Sequence, residues 1–229
     1  MAKHAGSRRE RPAKPALSRE WIIAATIEIV RTEGLEKATM RRVAQALDTG
    51  PASLYVYVAN TAELRAAVLD ELIGQLPLGR GRSGWLARIE SALSAYREVL
   101  VTYPGLARSA LVLRPTGPNV LRLYDRILGL LIEGDVPADR AAWGADLLVQ
   151  QVTASAAEHG AAAPGDVDTP ADPETALTRA VRDADPETAP HVHAHADTVL
   201  AGPPEARASW AIRALVAGIA ATPVPRSGH

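Results

Sequence analysis

Apolar residues in the first third of the chain recur with the period of an α-helix. Within residues 38–47 the apolar positions follow the spacing i, i+3, i+4, i+7 of one helical face: Met40, Val43, Ala44 and Leu47. The hydroxyl of Thr39 can cap the start of this helix. Residues 48–51 (Asp-Thr-Gly-Pro) then interrupt the pattern with turn formers. The pattern predicts a short helix that ends in a tight turn.

A second short helix is predicted over residues 51–58, with Pro51 in its first turn, where a missing N–H costs nothing. It is apolar and aromatic, and its bulky residues are Leu54, Tyr55, Val56, Tyr57 and Val58. Two short helices joined by a tight turn can set the second helix into the major groove of DNA. The pattern therefore predicts a helix-turn-helix over residues 38–58, although many helical proteins join two short helices through a Gly-Pro turn.

Further helices flank this motif. Residues 18–31 have an apolar face formed by Trp21, Ile22, Ala25, Ile29 and Val30. Gly34 ends this helix in the way that glycine does after a last turn. Asn60 and Glu63 have the spacing of a capping box, which opens a helix over residues 61–76. That helix would connect the motif to the rest of the chain.

The remaining chain is predicted to be a bundle of amphipathic helices. They cover residues 85–102, 106–113, 119–133, 137–159, 174–182 and 204–221. No run alternates apolar and polar residues as a strand does, so the predicted fold is all-α, with an N-terminal helix-turn-helix head joined by a connecting helix to a C-terminal helical bundle. A Gly- and Arg-rich run separates the two parts, and residues 160–173 form a long low-complexity loop.

Charge is distributed unevenly along the chain. The 229 residues, 47% of them hydrophobic, carry a net charge of −1 and can bury one large core or two small ones. Residues 1–60 hold ten Lys and Arg against six Asp and Glu, whereas residues 61–229 hold fifteen against twenty. A basic head on an acidic body suits a protein that offers one end to a polyanion, and a solvated basic tail is the alternative.

The composition and the absence of certain motifs exclude several kinds of functional site. The chain has no cysteine, which excludes disulfides, thiolate catalysis and cysteine metal sites. It has no apolar run before Trp21 and no stretch as long as a membrane span, so we expect a cytoplasmic protein without a membrane partner. A nucleophile elbow, a phosphate loop and paired carboxylates at helical spacing are absent, so neither an enzyme nor a cofactor is predicted.

Polar residues on the predicted motif suit contact with DNA. Arg41 and Arg42 lie on the polar side of the first helix, where they can reach phosphates. Ser53, Tyr55 and Tyr57 lie on the second helix, within reach of base edges or backbone. The basic residues of 1–17 could follow phosphates or enter a minor groove, and an inert solubilising tail is an equal alternative.

The order of the helices and the residues within them resemble the tetracycline-repressor (TetR) family of bacterial transcriptional regulators. The residues that carry the resemblance are Ala24, Ala25, Ile29, Gly34, Thr39, Arg41, Val43, Ala44, Leu47, Leu54, Tyr55, Val58, Asn60 and Leu64. Its most specific part is the pattern L-Y-x-x-V-x-N-x-x-x-L at residues 54–64. Asp48 stands where the family usually has Gly, but Asp tolerates a left-handed turn. Thr61 stands where the family usually has Lys, which removes one phosphate-contacting cation.

The body resembles the C-terminal regulatory domain of one TetR branch. Short patterns carry this looser resemblance: Y-P-G-L at Tyr103, R-P-T-G-P-N at Arg114, A-P-H at Ala189 and R-A-L-V-A-G-I at Arg213. The resemblance implies a dimeric regulator, usually a repressor, that binds a palindromic operator in double-stranded DNA. A small, mostly lipophilic effector bound by the body would release the operator by shifting the population of conformations.

The resemblance also implies a division of the chain and a dimer interface. A basic arm covers residues 1–17, the DNA-binding domain 18–64, the connecting helix 65–78 and the ligand-binding and dimerisation domain 85–221. Helices 137–159 and 204–221 are rich in small residues and would form a four-helix interface between subunits, with burial inside one subunit as the alternative. The two heads would lie about 34–36 Å apart, one DNA turn.

Two sets of candidate site residues follow. The DNA-binding set is Thr39, Arg41, Arg42, Thr49, Gly50, Pro51, Ala52, Ser53, Tyr55, Tyr57 and Thr61. The ligand-binding set consists of polar and aromatic residues on otherwise apolar helices. Its members are Trp85, Tyr96, Arg97, Tyr103, Arg114, Tyr124, Trp143, Asp146, Gln150 and Gln151.

A possible metal site at three histidines and two alternative functions were also considered from the sequence. His191 and His195 would share a face of a helix that also holds His193, but no carboxylate-histidine motif accompanies them, so no metal site is predicted. An all-α enzyme is the first alternative function. A helical interaction protein that does not read DNA is the second, and Thr61 in place of lysine is its only support.

Overall fold

The computed structural model describes residues 16–78, 81–113, 116–159 and 173–225. Within these ranges the chain is all-helical and contains no strand, which confirms the predicted fold class. Twelve α-helices follow one another: α1 (Arg19–Glu33), α2 (Met40–Ala46), α3 (Pro51–Leu54), α4 (Thr61–Gly74), α5 (Trp85–Thr102), α6 (Leu106–Leu113), α7 (Pro118–Glu133), α8 (Ala138–His159), α9 (Pro173–Arg182), α10 (Pro190–Ala194), α11 (Ala196–Leu200) and α12 (Pro204–Ala221). A short 3-10 helix, Leu35–Lys37, lies between α1 and α2.

Side-chain caps begin the head helices where the sequence predicts them. Thr39 Oγ1 accepts a hydrogen bond from the N–H of Arg42 at 3.2 Å, and Asn60 Oδ1 accepts one from the N–H of Glu63 at 2.8 Å. The Glu63 carboxylate accepts from the N–H of Ala59 at 2.6 Å, one residue before the position that a capping box uses. Gly34 ends α1 with a φ of 88°, a left-handed value that favours glycine.

The second helix of the motif is shorter than predicted. It ends at Leu54, and the next three residues form turns in which the N–H groups of Tyr57 and Val58 both donate to the Leu54 carbonyl. The prediction of a helix to residue 58 was therefore wrong. The reason is that the run Tyr-Val-Tyr-Val consists of β-branched and aromatic residues, which lose side-chain freedom in a helix.

The body is built around the long helix α8, which packs against α5, α6, α7 and α12. Fully buried aliphatic side chains from these helices fill its core, among them Leu93, Leu123, Ile127 and Leu148. Burial of this kind is the dominant favourable contribution to folding. Among the described residues, no helix has the length and apolar character needed to cross a membrane.

Helices α9, α10 and α11 contact one another. The sequence predicted α9 but not the two short helices that follow it. His191 and His193 lie on α10, whereas His195 stands at the break between α10 and α11, so the predicted single helical face is wrong. All three histidines are exposed. The described residues hold no group of three metal-ligating side chains. Most of the basic arm and nearly all of the predicted loop at 160–173 lie outside the described residues.

Candidate DNA-binding face

The turn between α2 and α3 depends on one residue in the left-handed region. Asp48 has a φ of 49°, as the sequence predicts for a short polar side chain at this position. The N–H of Thr49 then donates to the Ala44 carbonyl at 2.9 Å, which folds the chain back on α2. Pro51 occupies the first turn of α3, where its fixed φ suits a helix start. The two helices are therefore held at a tight corner.

The buried side chain of Leu54 holds this corner against the hydrophobic core. Its side chain is fully buried, and the cluster that surrounds it includes Val43, Leu47 and Val58. The residues on either side of Leu54 then point outward. Seven of the eleven predicted DNA-contacting residues are exposed: Thr39, Arg41, Gly50, Pro51, Ala52, Ser53 and Tyr55. They come from α2, the turn and α3, and so the corner brings them to one end of the head.

The other four predicted contacts are half-buried: Arg42, Thr49, Tyr57 and Thr61. Tyr57 packs part of its ring against the hydrophobic core. Less of its side-chain surface is therefore available to DNA than in the case of Tyr55. Arg42 is held by Glu33 at the end of α1. Its Nη2 lies 2.5 Å from Glu33 Oε1, and its Nε donates to the same oxygen at 3.1 Å. Arg42 therefore ties α2 to α1 and is less available for phosphates than Arg41.

The Glu33–Arg42 pair makes a pH-dependent contribution to the head. The hydrogen bond from Arg42 lowers the pKa of Glu33 below its ordinary value of 4.5. A carboxylate with a depressed pKa stabilises the fold above its unfolded-state pKa, and that stabilisation disappears as the pH falls through the folded-state pKa. We expect Arg42→Ala to lower head stability at pH 7 and to have a much smaller effect below the folded-state pKa of Glu33, as measured by urea denaturation. In a Glu33→Gln background the same substitution should show no pH dependence; an unchanged dependence there would contradict this account.

Two exposed residues of this face were missed from the sequence. Gln45 follows the arginines on α2 and is exposed. Val56 follows Tyr55 and is 79% exposed, while Tyr55 is 55% exposed. Val56 was predicted as part of an apolar helix over residues 51–58, and its exposed side chain was not identified as a DNA contact. In the structure it lies in the turn that follows α3, two residues after the buried Leu54.

The candidate ligand residues do not form one cluster. Tyr96 is buried between α5 and α8, where its hydroxyl lies 2.9 Å from Thr153 Oγ1, and burial raises its pKa. Trp85 is half-buried against the end of α7, and a Cβ placed on Gly134 would lie 2.4 Å from its ring. Tyr103 lies half-buried in the turn between α5 and α6. These residues lie in different parts of the body.

The remaining candidates lie mostly on the outer side of α8. Asp146 accepts hydrogen bonds from the Tyr124 hydroxyl at 3.2 Å and from Gln150 Nε2 at 2.7 Å. Trp143, Asp146 and Gln150 line an open groove of about 730 Å³ between α8 and α12. Gln151 is exposed and Arg97 is half-buried, with an Nε that has no hydrogen-bond partner among the described residues. Arg114 lies outside the described residues. The whole ligand-binding set stays a prediction.

Known proteins share both parts of this structure. Residues 22–68 match the model of the "Bacterial regulatory proteins, tetR family", and residues 76–222 match that of the "Tetracyclin repressor-like, C-terminal domain". The chain is 49% identical to the transcription regulator SCO7704 of Streptomyces coelicor, whose crystal structure it matches with a TM-score of 0.76 over 94% of this chain and 100% of the other.

Two further relatives are regulators with a known ligand or a known role. The TetR family protein ActR of Streptomyces coelicolor, in complex with (S)-DNPA, is 27% identical, with a TM-score of 0.76 over 89% of this chain and 96% of that one. The repressor DrrR1 of Streptomyces coeruleorubidus is 34% identical over 131 residues, which are 55% of this chain and 47% of DrrR1. The chain thus spans about half the length of the curated relatives that it matches first. Because the two family models together cover most of its residues, the chain belongs to the tetR family of bacterial regulatory proteins.

Proposed function

We propose that the protein is a dimeric, ligand-responsive transcriptional repressor. It binds a palindromic operator through the helix-turn-helix face and releases it when a small, mostly lipophilic effector binds the body. The observation that carries this proposal is the exposed face built from α2, the turn and α3, which presents Arg41, Ser53 and Tyr55 together on a head of the tetR family. The family is one of regulators, and a repressor of this kind performs no catalysis.

The outer faces of α8 and α12 support the dimer. Trp143 is 62% exposed, Leu147 is 43% exposed and Trp210 is 72% exposed. Large apolar side chains exposed together mark contact surfaces on soluble proteins. Within the chain, α8 and α12 already approach closely, because a Cβ on Gly144 would lie 2.6 Å from Ile219. A second subunit would cover the outward residues of the same two helices.

Ligand response is supported by a relative. ActR binds (S)-DNPA and actinorhodin in its crystal structures, and it shares about 27–28% of its residues with this chain. An effector of comparable lipophilic character would enter the body, with the aromatic members of the predicted set as its contacts. The proposed domains are those predicted from the sequence, with the DNA-binding domain at 18–64 and the regulatory domain at 85–221. A protein that binds operator DNA would act in the bacterial cytoplasm.

Binding to DNA from upstream of its own coding sequence tests the proposal. The protein should bind with a Kd of about 10⁻⁸ to 10⁻¹¹ M at physiological salt. The logarithm of its affinity should fall linearly with the logarithm of salt concentration, because phosphate contacts release counterions. Light scattering should show two subunits. Weak binding without preference for this DNA would favour a helical interaction protein instead.

Val56 should read a thymine methyl group. An aliphatic side chain that is 79% exposed on this face fits apolar contact with the C5-methyl of thymine in the major groove. Replacing one contacted thymine by uracil removes only that methyl, which should weaken wild-type binding about fourfold, since one buried methyl is worth roughly 0.8 kcal/mol. The Val56→Ala variant should be much less sensitive to the same replacement. If no thymine in the operator shows this difference in titrations by fluorescence anisotropy, Val56 does not read a methyl group.

A further inference from the structure

The first turn of α7 is capped by a residue from another part of the chain. Its own N-cap is Gly117, which has no side chain to offer. Asp70 of α4 supplies the cap: its Oδ1 accepts hydrogen bonds from the N–H groups of Asn119 at 3.0 Å and Val120 at 2.9 Å. Its Oδ2 accepts a third from Asn119 Nδ2 at 3.2 Å. A carboxylate at this position satisfies N–H groups that a helix start leaves without partners.

Space at this contact is limited on both sides. A Cβ on Gly117 would lie 2.2 Å from Asp70 Cγ, so any larger residue there would displace the carboxylate. One turn further along α4, a Cβ on Gly74 would lie 2.7 Å from Asn119 Nδ2. The two glycines therefore allow α4 and the start of α7 to approach closely enough for the three hydrogen bonds to form.

These hydrogen bonds specify a direction that apolar packing does not. The C-terminal half of α4 is also held to the body by buried apolar side chains such as Leu69, Leu72 and Ile73. Apolar contact is non-directional, whereas a hydrogen bond weakens steeply when its angle departs from linearity. Beyond the helix, Arg126 Nε donates to the Leu78 carbonyl at 3.0 Å. These polar contacts can form only within a narrow range of angles and in one register of α4 on α7.

The N-terminal half of α4 is joined to the head. Leu64 and Val68 are fully buried in the cluster that includes α1 residues, and α1 packs on α4. Arg65 Nη2 contacts the Leu35 carbonyl at 3.4 Å. Head and body also meet directly where the N–H of Leu35 donates to the Pro104 carbonyl at 3.0 Å. A change of angle at Asp70 would therefore turn the head about its contact with the α5–α6 turn.

We propose that Asp70 is the positioning residue that sets the angle between the connecting helix and the regulatory body, and thereby the separation of the two heads on the operator. The inference rests on the proposed dimeric function. Asp70 lies at the contact between α4 and α7 and is not one of the predicted DNA contacts. Its loss would broaden the range of head orientations, which lowers the effective concentration of the second head once the first is bound. Binding of one head to one half-site would be unchanged.

The experiment compares a full palindromic operator with a duplex in which one half is scrambled. Asp70→Ala should weaken binding to the full operator at least tenfold and change half-site binding less than twofold, with Asp70→Asn intermediate because it keeps one acceptor. Gly117→Ala, which disturbs the same contact from α7, should reproduce the pattern. Glu71→Gln is the matched control, since Glu71 is the next residue on α4 and is exposed. Melting curves establish that each variant is folded at the assay temperature.

Each other outcome overturns the inference. An equal loss on both duplexes would mean that the variants damage the head or reduce the folded fraction. Unchanged binding to the full operator would mean that apolar packing alone holds the angle. If the wild-type protein did not prefer the full operator to the half-site, the proposed dimeric binding would itself be wrong. The inference about Asp70 rests on that binding and would be wrong as well.

Discussion

Replacing Arg41 and Tyr55 together by alanine is expected to weaken operator binding about 100-fold, which corresponds to about 2.7 kcal/mol. Arg41 is exposed on α2 and has no ion-pair partner among the described residues, so its charge is available to a phosphate. Tyr55 is 55% exposed directly after α3 and can offer both a ring and a hydroxyl to the DNA. Because each of the two heads loses a phosphate contact, the salt dependence should also fall by about two units of slope.

The measurement is a titration of labelled operator by fluorescence anisotropy over a series of salt concentrations. Arg182→Ala is the control, because Arg182 is an exposed arginine on α9, outside the proposed DNA-binding domain. It should leave both the affinity and the salt slope unchanged. Operator affinity that is equal for wild type and the double variant would remove the helix-turn-helix face as the DNA-binding surface.

Leu54→Ala is expected to lower the free energy of unfolding of the head by about 2–5 kcal/mol. Leu54 is fully buried at the corner between α2 and the following turn, and its truncation leaves a cavity that the short helix α3 cannot close. A domain of this size buries a smaller fraction of its surface than a larger domain does and is therefore only marginally stable. Operator binding should therefore be lost through local unfolding of the head, while the body remains folded.

Hydrogen exchange separates the two parts of the chain in this test. Amides of α2 and α3 should lose protection in Leu54→Ala, and those of α7 and α8 should keep theirs. Leu54→Met is the control, since a swap that conserves volume usually costs less than about 1.5 kcal/mol. If Leu54→Ala left the protection of α2 unchanged, the corner would not depend on this side chain.

Local sequence signals predicted the starts of helices well. Thr39 and Asn60 cap α2 and α4 as expected, because a side chain that caps its own helix acts within three residues and needs no distant partner. The turn at Asp48 was predicted for the same reason. The end of α3 was not, since the periodic apolar pattern of 51–58 continues through a stretch whose backbone turns away from the helix.

Side-chain partners across the fold could not be predicted in the same way. Arg42 was expected to face phosphates, but it lies beside Glu33, which precedes it by nine residues on another helix. Asp70 is one acidic residue among several on its predicted helix, and no local pattern indicates that it caps a helix about fifty residues further along the chain. The candidate ligand residues are all polar or aromatic residues. The fold nevertheless places them in separate regions: the core, the α5–α6 turn and the outer side of α8.

The sequence alone determined the order of the helices other than α10 and α11 and the corner of the DNA-binding motif, because periodicity, caps and turn residues act over a few positions. The resemblance of its residues to a known family also indicated the family. Only the tertiary structure decided which polar groups meet. It assigned Arg42 to Glu33, exposed Val56 and joined Asp70 to the start of α7. Such contacts depend on the angle at which distant helices pack, and no local pattern of residues encodes that angle.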